Sequence, residues 1–125
     1  MEMQEFRRNR KLYGRELTAA VTLLEGGINV ILFGGDREHI GAVSIADEEG
    51  ELCVRDVTFP GHKETGIAHS WAESLCRQTG LPAVVEVGIH YDDISKERIA
   101  EILKVTEEML TEVLREVEHE KKHWK

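Results

Sequence analysis

Three of the six histidines lie where short loops meet predicted secondary structure. His39 stands just before Ile40-Gly41, His62 follows Gly61 ahead of a predicted helix, and His90 ends an apolar run. Binding residues are often placed in loops at the ends of strands and helices. We therefore expect His39, His62 and His90 to converge at one end of a sheet, although a lone histidine in such a place is more often a surface hydrogen-bonding residue.

A divalent metal is the first chemistry that three converging histidines suggest. His39, His62 and His90 would be its ligands, and Glu64 or Glu86 would be the general base of a small metal-dependent enzyme. Its substrate class would be a phosphorylated or carboxylated metabolite. The spacing matches neither a zinc finger nor an HExxH helix, so the fold would have to assemble such a site.

Two glycine-bearing segments favour anion binding instead. Gly34-Gly35 ends a predicted strand, and Gly61-His62-Lys63 leads into a predicted helix. Backbone N–H groups and the dipole at a helix N-terminus favour phosphate, and Lys63 would add a positive charge. Neither segment is a Walker A or GxGxxG motif.

Gly88 interrupts an apolar strand and leaves a gap between Glu86 and His90 on one strand face. A glycine at such a position marks the close approach of a ligand or of another backbone, a β-bulge, or tight packing of a helix. The sequence leaves these alternatives open.

No catalytic nucleophile is predicted. The sequence shows neither a Ser-His-Asp nor a Cys-His arrangement, and its two cysteines form no CxxC motif. Cys53 falls on a predicted strand and Cys76 on the apolar face of a predicted helix, so we expect both to be core residues.

The histidines must be positioned by strands in the first half of the chain and by two helices around one more strand in the second half. Apolar patterns predict strands at residues 16–24, 29–33, 40–46 and 52–59. Helical spacing predicts a helix over Thr65–Thr79 with Gly80 as its C-cap, and alternation predicts a strand over Ala83–His90. Residues 3–13 are a candidate edge strand, a prediction that their charge weakens.

The last helix is predicted from about residue 95, with Ser95 as its N-cap, to about residue 121. At 1.5 Å per residue it would be ~40 Å long, whereas a globule of this size has a radius of gyration near ~14 Å. Val113, Leu114 and Val117 continue its apolar stripe past that expected limit. This favours a homodimer formed through the helix, and a long helix that frays is the alternative.

These elements predict a single α+β domain over residues 1–125. We expect a mainly antiparallel sheet of five or six strands with two helices on one face, the C-terminal helix long. The hydrophobic fraction of 41% and the charged fraction of 32% are typical of a folded chain rather than a disordered one.

Charge and composition also exclude several function classes. The net charge of −8 disfavours nucleic acids and anionic membranes as partners. No apolar run reaches the ~20 residues that span a bilayer, and the charged first ten residues do not form a secretory signal. Two cysteines without a pairing pattern fit a reducing compartment, so we expect a cytoplasmic protein.

The motifs occur in an order that resembles a known family. The segments in question are Gly34-Gly35, His39-Ile40-Gly41, Pro60-Gly61-His62-Lys63-Glu64 and Gly88-Ile89-His90-Tyr91-Asp92. Together they are similar to the D subunit of gallate decarboxylase, the LpdD-like family described as a prenylated-flavin chaperone. The resemblance covers roughly residues 14–103, and the extension beyond Leu103 looks less typical of the family.

The resemblance implies a non-catalytic helper of UbiD-type decarboxylases that holds or hands over prenylated FMN or a related phosphorylated flavin. The cofactor-binding residues would be the motif histidines His39, His62 and His90 with Gly41, Lys63, Glu64 and Asp92 beside them, and the glycines Gly34, Gly35 and Gly88. Three hypotheses therefore stand: this accessory protein, the metal-dependent enzyme, and a purely structural dimeric subunit whose histidines stabilise loops.

Overall fold

The structure is a computed structural model that describes residues 3–59 and 64–123. The elements in chain order are β1 (Gln4–Leu12), β2 (Arg15–Leu24), β3 (Gly27–Gly35), β4 (Arg37–Glu49), β5 (Glu51–Thr58), α1 (Thr65–Thr79), β6 (Ala83–His90) and α2 (Lys96–Lys121). The strands form one sheet in the order β1-β2-β3-β6-β4-β5. Neighbouring strands are antiparallel except β3 and β6, which are parallel. The predicted α+β architecture is confirmed, and β1 is its sixth strand.

β1 forms although four of its nine residues are basic, because two of them have partners on α2. Arg8 pairs with Glu116 at 2.5 Å, and Arg10 pairs with Glu108 at 2.9 Å and also with Glu112. Residues two apart on a strand share a face, so both guanidinium groups point to the helix side of the sheet. The charge that weakened the prediction of this strand is therefore what joins it to α2.

The core lies between the sheet and the two helices, which contact each other on the same face. Alternate residues of the four central strands point into it and are buried, which is the period of two that the sequence showed. These residues are Leu17, Ala19, Val21, Leu23, Ile28, Val30, Leu32, Ala42, Ser44, Ala46, Ala83, Val85, Val87 and Ile89. Trp71 and Leu75 of α1 and Met109 of α2 pack against them.

α2 is covered along its length by its own chain. Val113 and Val117 are fully buried in the single copy, and Leu114 is half-buried against the core. Near the helix end, Lys121 Nζ donates a hydrogen bond of 2.8 Å to the carbonyl oxygen of Thr79. The prediction that the apolar stripe of α2 is free to form a homodimer is wrong. That prediction compared the helix with a sphere of the same mass, but a sheet with a helix layer is longer than such a sphere and covers the stripe. In the described part of the chain, neither helix is long and apolar enough to cross a membrane.

The two cysteines lie in different environments. Cys76 is buried in α1 as predicted, and this burial raises the pKa of its thiol. Cys53 is exposed, so the prediction that it belongs to the core is wrong. The reason is register: Cys53 pairs with Asp47, one position from the inward-facing Ala46, and so points away from the helices on the edge strand β5.

β4 is irregular where it passes the end of β6. The pairing shifts between Glu38, which is opposite Ile89, and Ala42, which is opposite Val87, so extra residues of β4 form a bulge. Gly88 lies at this point, and a Cβ atom added to it would overlap the carbonyl oxygen of His39. Of the alternatives that the sequence left open, Gly88 thus marks the close approach of another backbone at a bulge.

The variant Met109→Ala tests whether the second half of α2 belongs to the core of the single chain. We expect it to lower the free energy of unfolding by about 2–5 kcal/mol, because it leaves a cavity under the helix. Met3→Ala is the matched control, since Met3 is exposed, and should change that free energy by less than about 0.5 kcal/mol. Urea denaturation at two protein concentrations measures both. A loss for Met109→Ala that depends on protein concentration would instead place the helix in an interface between copies.

The variant Gly88→Ala tests the close contact between β6 and β4. It should lower the free energy of unfolding by about 2–4 kcal/mol, because the new methyl group forces the bulge away from β6. Gly26→Ala is the control, because a Cβ atom at Gly26 meets nothing within 4 Å. Thermal unfolding followed by circular dichroism compares the two, and equal midpoints would contradict the contact.

Candidate functional site

Two of the three predicted site histidines lie together at one end of the sheet. His39 belongs to the bulge of β4 and His90 is the last residue of β6. Their ring centroids are 5.9 Å apart and the ring planes make an angle of 76°. The third, His62, lies outside the described residues together with Gly61 and Lys63, so its place in the cluster stays a prediction.

Each of these imidazoles faces a carboxylate. His39 Nε2 lies 3.0 Å from Glu64 Oε1, and His90 Nε2 lies 3.1 Å from Asp92 Oδ1. A hydrogen-bonded partner of this kind fixes the orientation of the ring and decides which ring nitrogen carries the proton. The structure therefore brings four predicted site residues into two imidazole–carboxylate pairs.

Glu64 reaches His39 from the position just before α1. As the N-cap residue it does not cap the helix with its side chain, and the buried carboxylate turns towards β4 instead. There it packs on Gly41, where an added Cβ atom would overlap the carboxylate. Gly41 is thus a predicted site residue whose lack of a side chain leaves the space that Glu64 occupies.

A pocket of about 400 Å³ opens beside His90 and Glu64, between the end of β6 and the first turns of both helices. Most of its lining is apolar, from Ile67, Ile89, Tyr91, Ile94, Ile99, Ile102 and Leu103. Three of these residues are almost half exposed although they are large and apolar: Ile94, Ile99 and Leu103. A concave apolar surface with a few polar groups at one wall is typical of a small-molecule site.

Both helices begin at this pocket. Gly66 of α1 lines it, and Ile94 and Ile99 line it on either side of the first residue of α2. Ser95 accepts a hydrogen bond of 3.2 Å from the backbone N–H of Arg98, which confirms it as the N-cap of α2. The positive ends of two helix dipoles at one pocket favour a ligand that carries an anionic group.

Asp36, which follows β3, holds the segment that carries His90 and Asp92. Its Oδ2 accepts the backbone N–H of Asp92 at 2.8 Å, and its own N–H donates to the carbonyl oxygen of His90 at 2.6 Å. Arg15 Nε donates to its Oδ1 at 3.0 Å. The N–H of Asp92 and the guanidinium of Arg15 hold the pKa of Asp36 below its usual value. The sequence did not identify this role, because the contacts join residues that are far apart in the chain.

Tyr91 forms part of the pocket wall and is fixed by the turn between β1 and β2. Its hydroxyl donates to the carbonyl oxygen of Leu12 at 2.8 Å, and burial raises its pKa. Tyr13 meets its ring edge-on at 5.7 Å between centroids, and Arg98 of α2 lies 4.3 Å above the centre of the Tyr13 ring. The turn thereby connects the end of β6 to the first turn of α2.

The predicted glycine pair Gly34-Gly35 lies in paired strand rather than in a flexible loop. Both residues have positive φ, +145° and +91°. A Cβ atom at Gly34 would overlap the carbonyl oxygen of Glu16, and one at Gly35 would overlap that of His90. Close packing of backbones next to the site explains both glycines, and their assignment to cofactor binding stays a prediction.

A second polar cluster fastens α1 to the sheet and includes none of the predicted site residues. Asp56 of β5 accepts from the hydroxyl of Ser44 at 2.5 Å and lies 3.0 Å from His69 Nδ1 on α1. The hydrogen bond with Asp56 raises the pKa of His69. Burial acts to raise the pKa of Asp56, but its bonds to Ser44 and His69 bring it below the usual value.

The metal hypothesis gains no support from the residues that can be described. Within residues 3–59 and 64–123, the group close enough to hold an ion is Glu116, His119 and Glu120 on α2, and it contains neither predicted histidine. Glu86, one of the two candidate general bases, lies on the sheet face away from the helices, four residues or about 13 Å along β6 from His90.

Comparison with solved structures shows where else this fold occurs. A structure described as "Crystal Structure of a Novel Chaperone Complex for Yeast 20S Proteasome Assembly" matches with a TM-score of 0.62. The match covers 90% of this chain and 96% of that chain at 13% sequence identity, so the likeness is one of fold alone. No curated protein matched the chain in a sequence comparison.

The family comparison is more specific. Residues 11–118 match the model of the prenylated flavin chaperone LpdD-like domain. The match extends the resemblance of the sequence motifs past Leu103 and through most of α2, so the C-terminal part of the chain is not atypical. Because it spans most of the 125 residues, the chain belongs to the prenylated flavin chaperone LpdD-like family.

Proposed function

We propose that this protein binds prenylated FMN, or a related phosphorylated flavin, in the pocket beside His90 and hands it to a UbiD-type decarboxylase. The observation that carries the proposal is the apolar pocket at the imidazole–carboxylate pairs, in a chain of a prenylated flavin chaperone family. The role is accessory, and the flavin supplies its chemistry in the decarboxylase that receives it.

The residues present fit a prenylated flavin. Such a ligand combines a planar, largely apolar ring system with polar ring edges and a phosphate-bearing chain. Ile94, Ile99 and Leu103 would cover the rings, because burying their exposed apolar surface is favourable by about 25 cal/mol per Å². His90 and Glu64 would hydrogen-bond a polar edge of the ligand.

The phosphate would be placed at the helix N-termini that adjoin the pocket. The carboxylate of Glu64 opposes an anion there, but it is turned towards β4, where its Oε1 lies 3.0 Å from His39 Nε2. Lys63 and the amides of Gly61 and His62, which lie outside the described residues, remain the predicted anion contacts just before α1.

The open rim of the pocket suits a carrier rather than a permanent holder. Ile94, Ile99 and Leu103 stay almost half exposed, so a bound flavin would keep part of its surface accessible to a receiving protein. We propose that this handover takes place in the cytoplasm and that the protein acts as a homodimer.

The first test is a fluorescence and absorbance titration with FMN and with prenylated FMN. Leu103→Gln should weaken prenylated FMN binding about tenfold, since it places a polar amide in the apolar wall. Leu24→Gln is the matched control, because Leu24 is 44% exposed against 48% for Leu103 and does not line the pocket. His90→Ala should weaken binding to a similar extent, and His119→Ala should not.

Two results would contradict this proposal. One is that neither flavin binds, which would favour the purely structural subunit. The other is binding that requires an added divalent metal, which would favour the metal-dependent site, so the titration is repeated with and without metal.

A second test measures delivery. A UbiD-type decarboxylase prepared without cofactor should regain activity faster from the loaded protein than from free prenylated FMN, because the carrier presents the flavin in a bound orientation. The Leu103→Gln variant should lose this acceleration and Leu24→Gln should keep it. Equal rates from loaded protein and free cofactor would leave binding intact but overturn the delivery role.

A further inference from the structure

The sheet face opposite the helices has no covering element among residues 3–59 and 64–123. Both helices pack on the other face, where they contact each other. In the middle of the four central strands, five of eight outward positions are nevertheless apolar: Ala20, Ile31, Val43, Ile45 and Val84, beside Thr22, Asn29 and Glu86. When one face of a sheet faces solvent, its strands usually alternate apolar residues on the core side with polar residues on the solvent side. An outer face rich in apolar residues therefore indicates a surface that becomes buried.

Strand register arranges this outer face, which we call the bare face, in two rows across all six strands. The first row is Arg7, Ala20, Ile31, Glu86, Val43 and Val57. The second row is Glu5, Thr22, Asn29, Val84, Ile45 and Arg55. Two acidic and two basic residues balance in these rows, whereas the whole chain carries a net charge of −8.

We propose that the bare face packs against the bare face of a second copy of this chain. Stacked sheets lie about 10 Å apart and interdigitate their side chains. Six strands with about eight residues each present a face of about 29 by 26 Å, or about 750 Å² per copy. The resulting total of about 1,500 Å² is the size of a stable protein–protein interface.

The charges at the two sheet edges favour a copy of the same chain as the occupant. A two-fold axis between the sheets and along the strands sets β1 of each copy opposite β5 of the other. In the second row this places Glu5 opposite Arg55 of the partner subunit, and the symmetry repeats the contact. Arg55 lies 3.3 Å from Asp47 within its own chain, so it would lie between two carboxylates.

In the proposed dimer, the carboxylate of Glu86 would be buried between the two stacked sheets. Glu86 lies in the first row on β6, one of the two central strands of the bare face, where stacking would take its carboxylate out of water. Burying a carboxylate is costly, so Glu86 opposes association. Glu86→Gln should therefore tighten the dimer at least about threefold, an effect that the loss of a structural contact would not produce.

The test is sedimentation velocity of the full chain over a wide range of protein concentration. Wild type should dimerise, and Ile31→Lys and Ile45→Lys should each weaken dimerisation at least about tenfold. Ile99→Lys is the matched control on the helix side, because Ile99 is 46% exposed against 36% and 38% for Ile31 and Ile45. Circular dichroism checks that each variant is folded.

The native cysteines provide a test that needs no substitution. Cys53 points outward on β5 next to the two rows, while Cys76 is buried. The rate of Cys53 modification by a thiol reagent should fall as protein concentration rises and the partner's β1 covers it.

Four outcomes would overturn the proposal. They are a wild-type chain that stays monomeric, a dimer that survives both lysine substitutions on the bare face, a dimer lost in Ile99→Lys, and a Glu86→Gln variant that associates no more tightly. A monomer whose bare face is instead covered by the decarboxylase counts as the first of these.

Discussion

The close approach of β4 to β6 at Gly88 is the contact on which the candidate site depends. Because Gly88 has no side chain, the backbone of His39 can lie directly against it, and the extra residues of β4 form a bulge there. The bulge brings the His39 ring to within 5.9 Å of the His90 ring. Gly41, in the same bulge, leaves room for the carboxylate of Glu64. Two glycines thus set the positions of two imidazoles and a carboxylate without contributing any chemistry themselves.

The helices turn this polar cluster into one wall of a pocket. α1 is held at the sheet by Asp56 and His69, and the ends of the two helices are joined by the bond from Lys121 to Thr79. Because both helices also begin at the pocket, they run in the same direction and their positive dipole ends lie at the same place. The arginines of β1 bind acidic residues in the middle and second half of α2, and Arg98 in its first turn packs on Tyr13, which contacts Tyr91.

Local pattern predicted the parts of this structure that depend on neighbours in sequence. Alternating and helical spacing located both helices and five of six strands, and glycine-bearing strand ends identified His39 and His90 as neighbours in space. The charge of β1 weakened the prediction of that edge strand, because the partners of its arginines on α2 are about a hundred residues away. The sequence also did not predict the apolar pocket wall formed by Ile94, Ile99 and Leu103, because it depends on residues that are distant in the chain. On an amphipathic helix, only the packing decides which apolar residues stay uncovered.

The candidate pocket and the proposed dimer contact lie on opposite faces of the sheet. In a flavin carrier, this separation would allow both to be used at the same time. The pocket is built from the helix layer and from the end of β6, whereas the bare face lies on the opposite side of the same strands. Stacking two bare faces would therefore leave both pockets directed outward, each open to a decarboxylase without competition from the dimer contact. A helix-mediated dimer would instead have covered the layer that contains Ile99 and Leu103, and with it the rim through which a flavin would have to leave. Val113 and Val117 are buried within one chain, so a dimer through that stripe is not needed and the helix layer would stay accessible to the proposed flavin.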